Sequence, residues 1–167
     1  MAKAFAVIGA SGTVGREVLQ ALAEAGVTAA EVAALASERS AGTGLTFGED
    51  EEIVTQDIAA HDFAATKVSI FCAAGAVAAV HVPRAARAGG WALDASAHSR
   101  LDPAVPLIVP GVNDTAEILD GASKRVVAFP SACVAMLARA LKPLHDAAIC
   151  KRAVVSTYQS VSEAGKD

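Results

Sequence analysis

The chain has 167 residues, enough for one domain with a proper core and short for two. Hydrophobic residues make up 53% and charged residues 19%, which excludes a disordered chain. A net charge of −4 offers no basic footprint for nucleic acid. No apolar run approaches the length of a membrane span, and no N-terminal segment reads as a secretory signal, so no membrane partner and a cytoplasmic location are expected. Cys72, Cys133 and Cys150 are odd in number and widely spaced, which indicates neither a disulfide framework nor a metal site.

In chain order, the apolar run Ala4-Phe5-Ala6-Val7-Ile8 leads into the turn Gly9-Ala10-Ser11-Gly12-Thr13-Val14-Gly15 and then the amphipathic stretch Arg16 to Leu22. Strand, glycine turn and helix in that order bring backbone N–H groups and a positive helix end toward a pyrophosphate. The next apolar run, Glu31 to Ala36, is followed by Ser37-Glu38-Arg39-Ser40, near where an NAD-specific fold offers an acidic residue to the ribose. An arginine between two hydroxyls suits a 2′-phosphate instead. Either signal alone has a plain reading, since glycine turns and solvated Ser/Arg loops are common; in this order they predict NADP.

Strands are expected near 4–8, 31–36, 67–72, 91–94, 107–109, 125–128 and 153–157, and helices near 13–25, 75–88, 113–119 and 133–147. Leu45-Thr46-Phe47 and Ile53-Val54, separated by Gly48-Glu49-Asp50, suggest a small hairpin off the main sheet. Alternating strand and helix patterns, rich in Ala, Val and Gly, predict an α/β fold: a single Rossmann-like domain over 1–167, doubly wound, with a mostly parallel sheet and helices on both faces.

Five blocks carry a resemblance: Gly9 to Glu17, Leu35 to Gly42, Arg100-Leu101-Asp102-Pro103 with Val105 to Pro110, Leu141-Lys142-Pro143-Leu144-His145-Asp146, and Ser156-Thr157-Tyr158-Gln159. Together the chain resembles the bacterial aspartate-semialdehyde dehydrogenase family over nearly its whole length. The reductase of N-acetylglutamyl phosphate is the neighbouring alternative, and the block Ser37-Glu38-Arg39-Ser40-Ala41-Gly42 favours the aspartyl branch.

The resemblance implies the reductive dephosphorylation of aspartyl phosphate to the semialdehyde, in lysine, threonine and methionine biosynthesis. Run in reverse, a cysteine thiolate attacks the aldehyde, hydride passes to NADP, and phosphate releases the acyl group as aspartyl phosphate. It places Gly9, Ser11, Gly12, Thr13, Val14 and Gly15 at the pyrophosphate, Ser37, Arg39 and Ser40 at the 2′-phosphate, and Ala73 and Gly75 on the loop lining the cofactor. Arg100 falls on the arginine that binds phosphate, and Gln159 on the glutamine near the catalytic cysteine.

The nucleophile block departs from the family pattern. Where the family reads Asn-Pro-Asn-Cys, this chain reads Phe129-Pro130-Ser131-Ala132, and an ungapped count back from Leu141-Lys142-Pro143 puts the nucleophile position at Ala132. Cys133 stands one residue late, turned by about 100° on the helix that begins there. A helix N-terminus would favour its thiolate; a small buried residue facing the sheet is the plain alternative. Asp94-Ala95-Ser96-Ala97-His98-Ser99-Arg100 lacks the family's asparagine and one hydroxyl, Gly111 replaces a glutamate, and Glu163 interrupts Ser162-Glu163-Ala164-Gly165.

In the family a second domain follows and supplies the catalytic histidine, a further arginine and most of a dimer interface. Three readings remain open: the NADP-binding part of such an enzyme, inactive as this chain; a catalytically silent relative acting as a nucleotide-binding or interaction module; and a divergent acyl-phosphate or aldehyde oxidoreductase using Cys133. The surface that meets a second domain is expected to be apolar here and to drive self-association.

Overall fold

The structure, a computed structural model, describes residues 3–115, 118, 119, 122 and 124–159. Six strands form the main sheet: β1 (Lys3–Ile8), β2 (Val32–Ala36), β5 (Gln56–Asp57), β6 (Thr66–Phe71), β7 (Trp91–Asp94) and β8 (Val126–Ala128). Its spatial order is β5-β2-β1-β6-β7-β8, and every pairing is parallel. β3 (Gly44–Phe47) and β4 (Glu51–Val54) make a separate antiparallel hairpin. Three α-helices lie wholly within the described residues: α1 (Thr13–Glu24), α2 (Gly75–Arg87) and α3 (Ala132–Ala148).

Alternation along the central strands decides which helix covers which face. Ala6 and Ile8 of β1, with Ala33 and Leu35 of β2, pack with Phe71 and with Ala78, Val82 and Ala85 of α2. Their neighbours Val7, Val32 and Ala34 turn to the other face, against Leu19 of α1 and Leu45, Phe47 and Ile53 of the hairpin. Strands covered on both sides have no polar face to offer, so β2 reads Val-Ala-Ala-Leu-Ala and is buried at every position. Each large aliphatic side chain enclosed this way contributes roughly 1.5–3 kcal/mol of transfer free energy.

The chain passes from β1 to β2 on one side, then recrosses to β6 on the other. The sheet therefore reverses its winding between β1 and β6. In an open parallel sheet such a reversal leaves a crevice outside the carboxyl ends of those two strands.

The doubly wound sheet, the hairpin and three helices form as the sequence predicts, with differences that have local causes. β2 begins at Val32 because Glu31 closes a 3-10 turn whose cap is Thr28, the Glu31 carboxylate accepting from the Thr28 amide at 3.0 Å. The strand expected at 107–109 is a single bridge from Leu107 to Ala128. No strand forms at 153–157: these residues are exposed and have no ladder partner among the described residues, so their β-branched composition finds nothing to pair with. The helix expected near 113–119 lies partly, and Ser162 to Gly165 wholly, outside the described residues. The edge strand β5 has no apolar alternation to announce it.

Candidate cofactor and thiol site

The loops leaving the carboxyl ends of β1, β2, β6, β7 and β8 carry nearly every residue singled out from the sequence. At the end of β1, Gly9 adopts φ +80°, a conformation that strains any side chain. Its amide and that of Ala10 both donate to the Leu35 carbonyl, at 2.9 and 3.1 Å, tying the turn to β2. Gly12 donates to the Gly9 carbonyl at 3.0 Å and is the N-cap of α1. A Cβ on Gly15 would stand 2.2 Å from the Gly9 carbonyl oxygen, so only glycine lets α1 begin this close to the strand. The first amides of α1 have no intrahelical acceptor, and its first turn holds no acidic side chain to compete for them.

Across the reversal point, the loop after β6 closes on the same turn. Ala73 lies 3.0–3.1 Å from where a Gly9 Cβ would be, and the Cys72 amide donates to the Ile8 carbonyl at 2.8 Å. Gly75 opens α2 immediately after. Burial, reinforced by the nearby Asp94 carboxylate, pushes the Cys72 thiol up to about 11, which removes it as a nucleophile at neutral pH.

After β2, Ser37 begins a 3-10 turn over Glu38–Ser40. Ser37 and Arg39 are exposed and Ser40 is half-buried. The Arg39 guanidinium makes no hydrogen bond or ion pair among the described residues, leaving its five donors for a ligand.

The loops after β7 and β8 are held by buried polar groups. Asp94 is wholly buried at the end of β7; its carboxylate accepts from the Ser96 amide at 2.8 Å, the Ser99 amide at 3.2 Å and the Ser99 hydroxyl at 2.5 Å. These contacts fold residues 95–99 back over the strand end and carry Arg100 with them. Arg100 donates through Nε to the Phe129 carbonyl at 2.8 Å and through Nη2 to the Ala95 carbonyl at 2.7 Å. It therefore clamps the β7 loop to the β8 loop, a positioning role that the sequence reading missed because its acceptor lies 29 residues away.

Pro130 and Ser131 lead into α3, with Ser131 as N-cap, Ala132 first in the helix and Cys133 second. Cys133 is half-buried, and the Gln159 amide nitrogen donates to its sulfur at 2.9 Å. The structure thus brings together the two residues 26 apart that the sequence reading paired as thiol and glutamine. The histidines lie elsewhere: His61 pairs with Thr66, His81 with Arg84, His98 is held through its amide on Ser96, and His145 sits in the last turn of α3. Among the described residues no group of His, Cys, Asp and Glu could hold a metal.

A family sequence model described as "Semialdehyde dehydrogenase, NAD binding domain" matches residues 4–120. An aspartate-semialdehyde dehydrogenase of Aquifex aeolicus is 39% identical over 96% of this chain and 47% of the relative. One of Rickettsia conorii is 41% identical, again over 96% of this chain and 47% of its own length. The crystal structure of aspartate semialdehyde dehydrogenase II from Vibrio cholerae superposes with a TM-score of 0.88 at 34% identity, covering 98% of this chain and 48% of that one. The chain spans about half the length of the curated relatives it matches.

Proposed function

The chain belongs to the semialdehyde dehydrogenase family through the NAD-binding domain, and we propose that it binds NADP at the β1/β6 crevice as part of an aspartate-semialdehyde dehydrogenase. The observation that carries this reading is the Gly9 to Gly15 turn, with Gly9 at positive φ and Gly15 closed against the Gly9 carbonyl, beside an unengaged Arg39. The amides at the start of α1 face the pyrophosphate, and Ser37, Arg39 and Ser40 meet the 2′-phosphate. Ala73 and Gly75 line the nicotinamide side of the crevice. When bound, the nicotinamide accepts or supplies hydride; the chain's own groups hold it and exclude water on the Ala73 side.

The test is a calorimetric titration of the 167-residue chain with NADP and with NAD. NADP-selective binding is expected, and Arg39→Ala should remove most of the selectivity while sparing NAD. Equal losses for both nucleotides would overturn the 2′-phosphate assignment, and binding of neither would reduce the family resemblance to scaffold.

On activity, this chain is a silent nucleotide-binding module, because Ala132 has no nucleophile to offer where the family register places one. A second reading, a divergent acyl-phosphate or aldehyde oxidoreductase using Cys133, draws support from the Gln159 amide on its sulfur, which stabilises a thiolate. Alkylation with iodoacetamide separates the two. A silent site predicts a Cys133 rate equal to that of an unactivated thiol, and a catalytic site predicts fast reaction persisting below neutral pH, lost in Gln159→Leu. If Cys133 acts, Arg100 is the cation that meets the substrate phosphate, and the substrate is aspartyl phosphate or its semialdehyde. Val134, Met136 and Leu144 on α3 are exposed, and this chain self-associates through them at high concentration; a clean monomer in sedimentation would overturn that.

A further inference from the structure

Thr55 is 2% exposed, a buried hydroxyl in the short link between β4 and β5. It belongs to neither strand, and it serves the loop after β2 rather than its own segment. Its Oγ1 donates to the Ser40 carbonyl at 2.6 Å and accepts from the Thr43 amide at 3.0 Å. Its backbone closes the same junction, the Thr55 amide donating to the Thr43 carbonyl at 2.9 Å and the Gly42 amide donating to the Thr55 carbonyl at 2.8 Å. One residue thus fixes the main chain at Ser40, Gly42 and Thr43.

The loop so fixed carries the candidate phosphate contacts. Ser40 donates back to the Ser37 carbonyl at 2.8 Å, closing the 3-10 turn that presents Arg39. Gly42 sits at φ +84° and reverses the chain into the hairpin. The turn is otherwise exposed and has no side-chain cap of its own at Ser37. A charged ligand gains affinity from Arg39 only if the turn is held before binding, since ordering a loop on binding costs free energy that the contact must first offset. The Thr55 hydroxyl is the buried group positioned to do that holding.

We infer that Thr55 is a positioning residue for nucleotide selectivity: its hydroxyl pre-organises the turn of Ser37, Arg39 and Ser40 for the 2′-phosphate without touching the nucleotide. This rests on the NADP reading above. It places part of the selectivity determinant on the β4–β5 link, away from the glycine turn and from the segment that contacts the ligand.

The test measures the dissociation constants of NADP and NAD for the 167-residue chain and for Thr55→Val, Thr55→Ala and Thr55→Ser, with Arg39→Ala as reference. The valine keeps the shape and removes the hydroxyl. Loss of one such hydrogen bond is expected to weaken NADP about fivefold with NAD unchanged, and Thr55→Ser, which keeps the hydroxyl, should restore selectivity. General loosening of the fold lowers both affinities together, so the NADP-to-NAD ratio is a readout that a merely structural role does not move. If Arg39→Ala is selective and neither hydroxyl-free variant is, the Thr55 inference falls while the NADP reading stands. Should Arg39→Ala itself show no selectivity, both fall. Should Thr55→Val not fold, the ratio in Thr55→Ala decides on the same terms.

Discussion

The glycine-turn half of the molecule and its α3 end are built on opposite principles. Around β1, both faces of the sheet are covered, and Val7, Ile8, Leu19 and Leu35 are all essentially inaccessible. The 17-residue α3 has no buried residue at all, and residues 150–159 beyond it are exposed throughout. The candidate cofactor turn is therefore held by a core completed within these residues, whereas the Cys133–Gln159 contact joins two segments that the core does not grip. A cradle for a nucleotide can be specified by local backbone demands and two packed layers. A thiol pair that must hold to within a fraction of an ångström needs a surrounding shell as well.

The largest effect that tests this contrast comes from Gly15. Gly15→Val puts side-chain atoms where even a Cβ is 2.2 Å from the Gly9 carbonyl and 2.7 Å from the Ala10 Cα, both backbone atoms that cannot swing away. A loss of more than about 3 kcal/mol is expected in urea unfolding, together with loss of nucleotide binding. A stable, nucleotide-binding variant would mean that α1 can start elsewhere. Next comes Leu19→Ala, which opens a cavity beneath α1 between Val7 and the hairpin. The cost should be about 3 kcal/mol, since the surrounding sheet has little freedom to collapse. An effect below about 1 kcal/mol would break the claim that this face is closely packed.

A smaller effect appears on acidification, again in the buried half. Burial holds the His61 pKa below its ordinary value, with Arg84 adding to this and Asp62 opposing it. Burial likewise lowers His81, with Arg84 adding and Asp57 opposing. The geometry agrees, because the Arg84 Nη1 donates to His81 Nδ1 at 2.8 Å, which requires a neutral ring. With folded pKa values below the unfolded one, the unfolded chain binds protons first. The stability contributed by neutral histidine is complete above about pH 6.5 and declines as pH falls through the lowered values. Urea midpoints from about pH 7 down to about pH 5 should decline, and the double variant His61→Gln/His81→Gln should flatten that slope. An unchanged slope in the double variant would assign the acid sensitivity to other groups.

How much of this was legible in the sequence follows from how local each demand is. The Gly9 to Gly15 turn could be read because a positive φ and a helix starting against a carbonyl both require glycine at fixed offsets. The hairpin could be read because Leu45, Phe47 and Ile53 alternate with exposed residues around a glycine turn. Cys133 and Gln159 were paired by resemblance, not by spacing, and the contact at 2.9 Å shows only that the fold brings them together. The clamp that Arg100 makes and the junction that Thr55 makes could not be read, because their partners are main-chain carbonyls and amides, which every sequence supplies everywhere. The run Ala153 to Thr157 failed in the opposite way. It has the composition of a strand, but a strand is defined by its neighbour, and among the described residues none is there.

The smallest expected effect is the sharpest test of the contrast. Leu144 lies in the same kind of amphipathic helix as Leu19, yet it is 61% exposed where Leu19 is 0%. Truncating both to alanine removes the same atoms, so any difference between the two variants reports burial alone. Leu144→Ala should change the unfolding free energy measured in urea by less than about 0.5 kcal/mol in dilute solution. If it instead costs 2 kcal/mol or more, on the scale of a core leucine, α3 is packed in solution, and Cys133 stands on a framework as firm as the glycine turn. A cost that grows with protein concentration separates the remaining case: the exposed face is then covered by another copy, and the rigidity of the thiol site depends on assembly rather than on the fold of one chain.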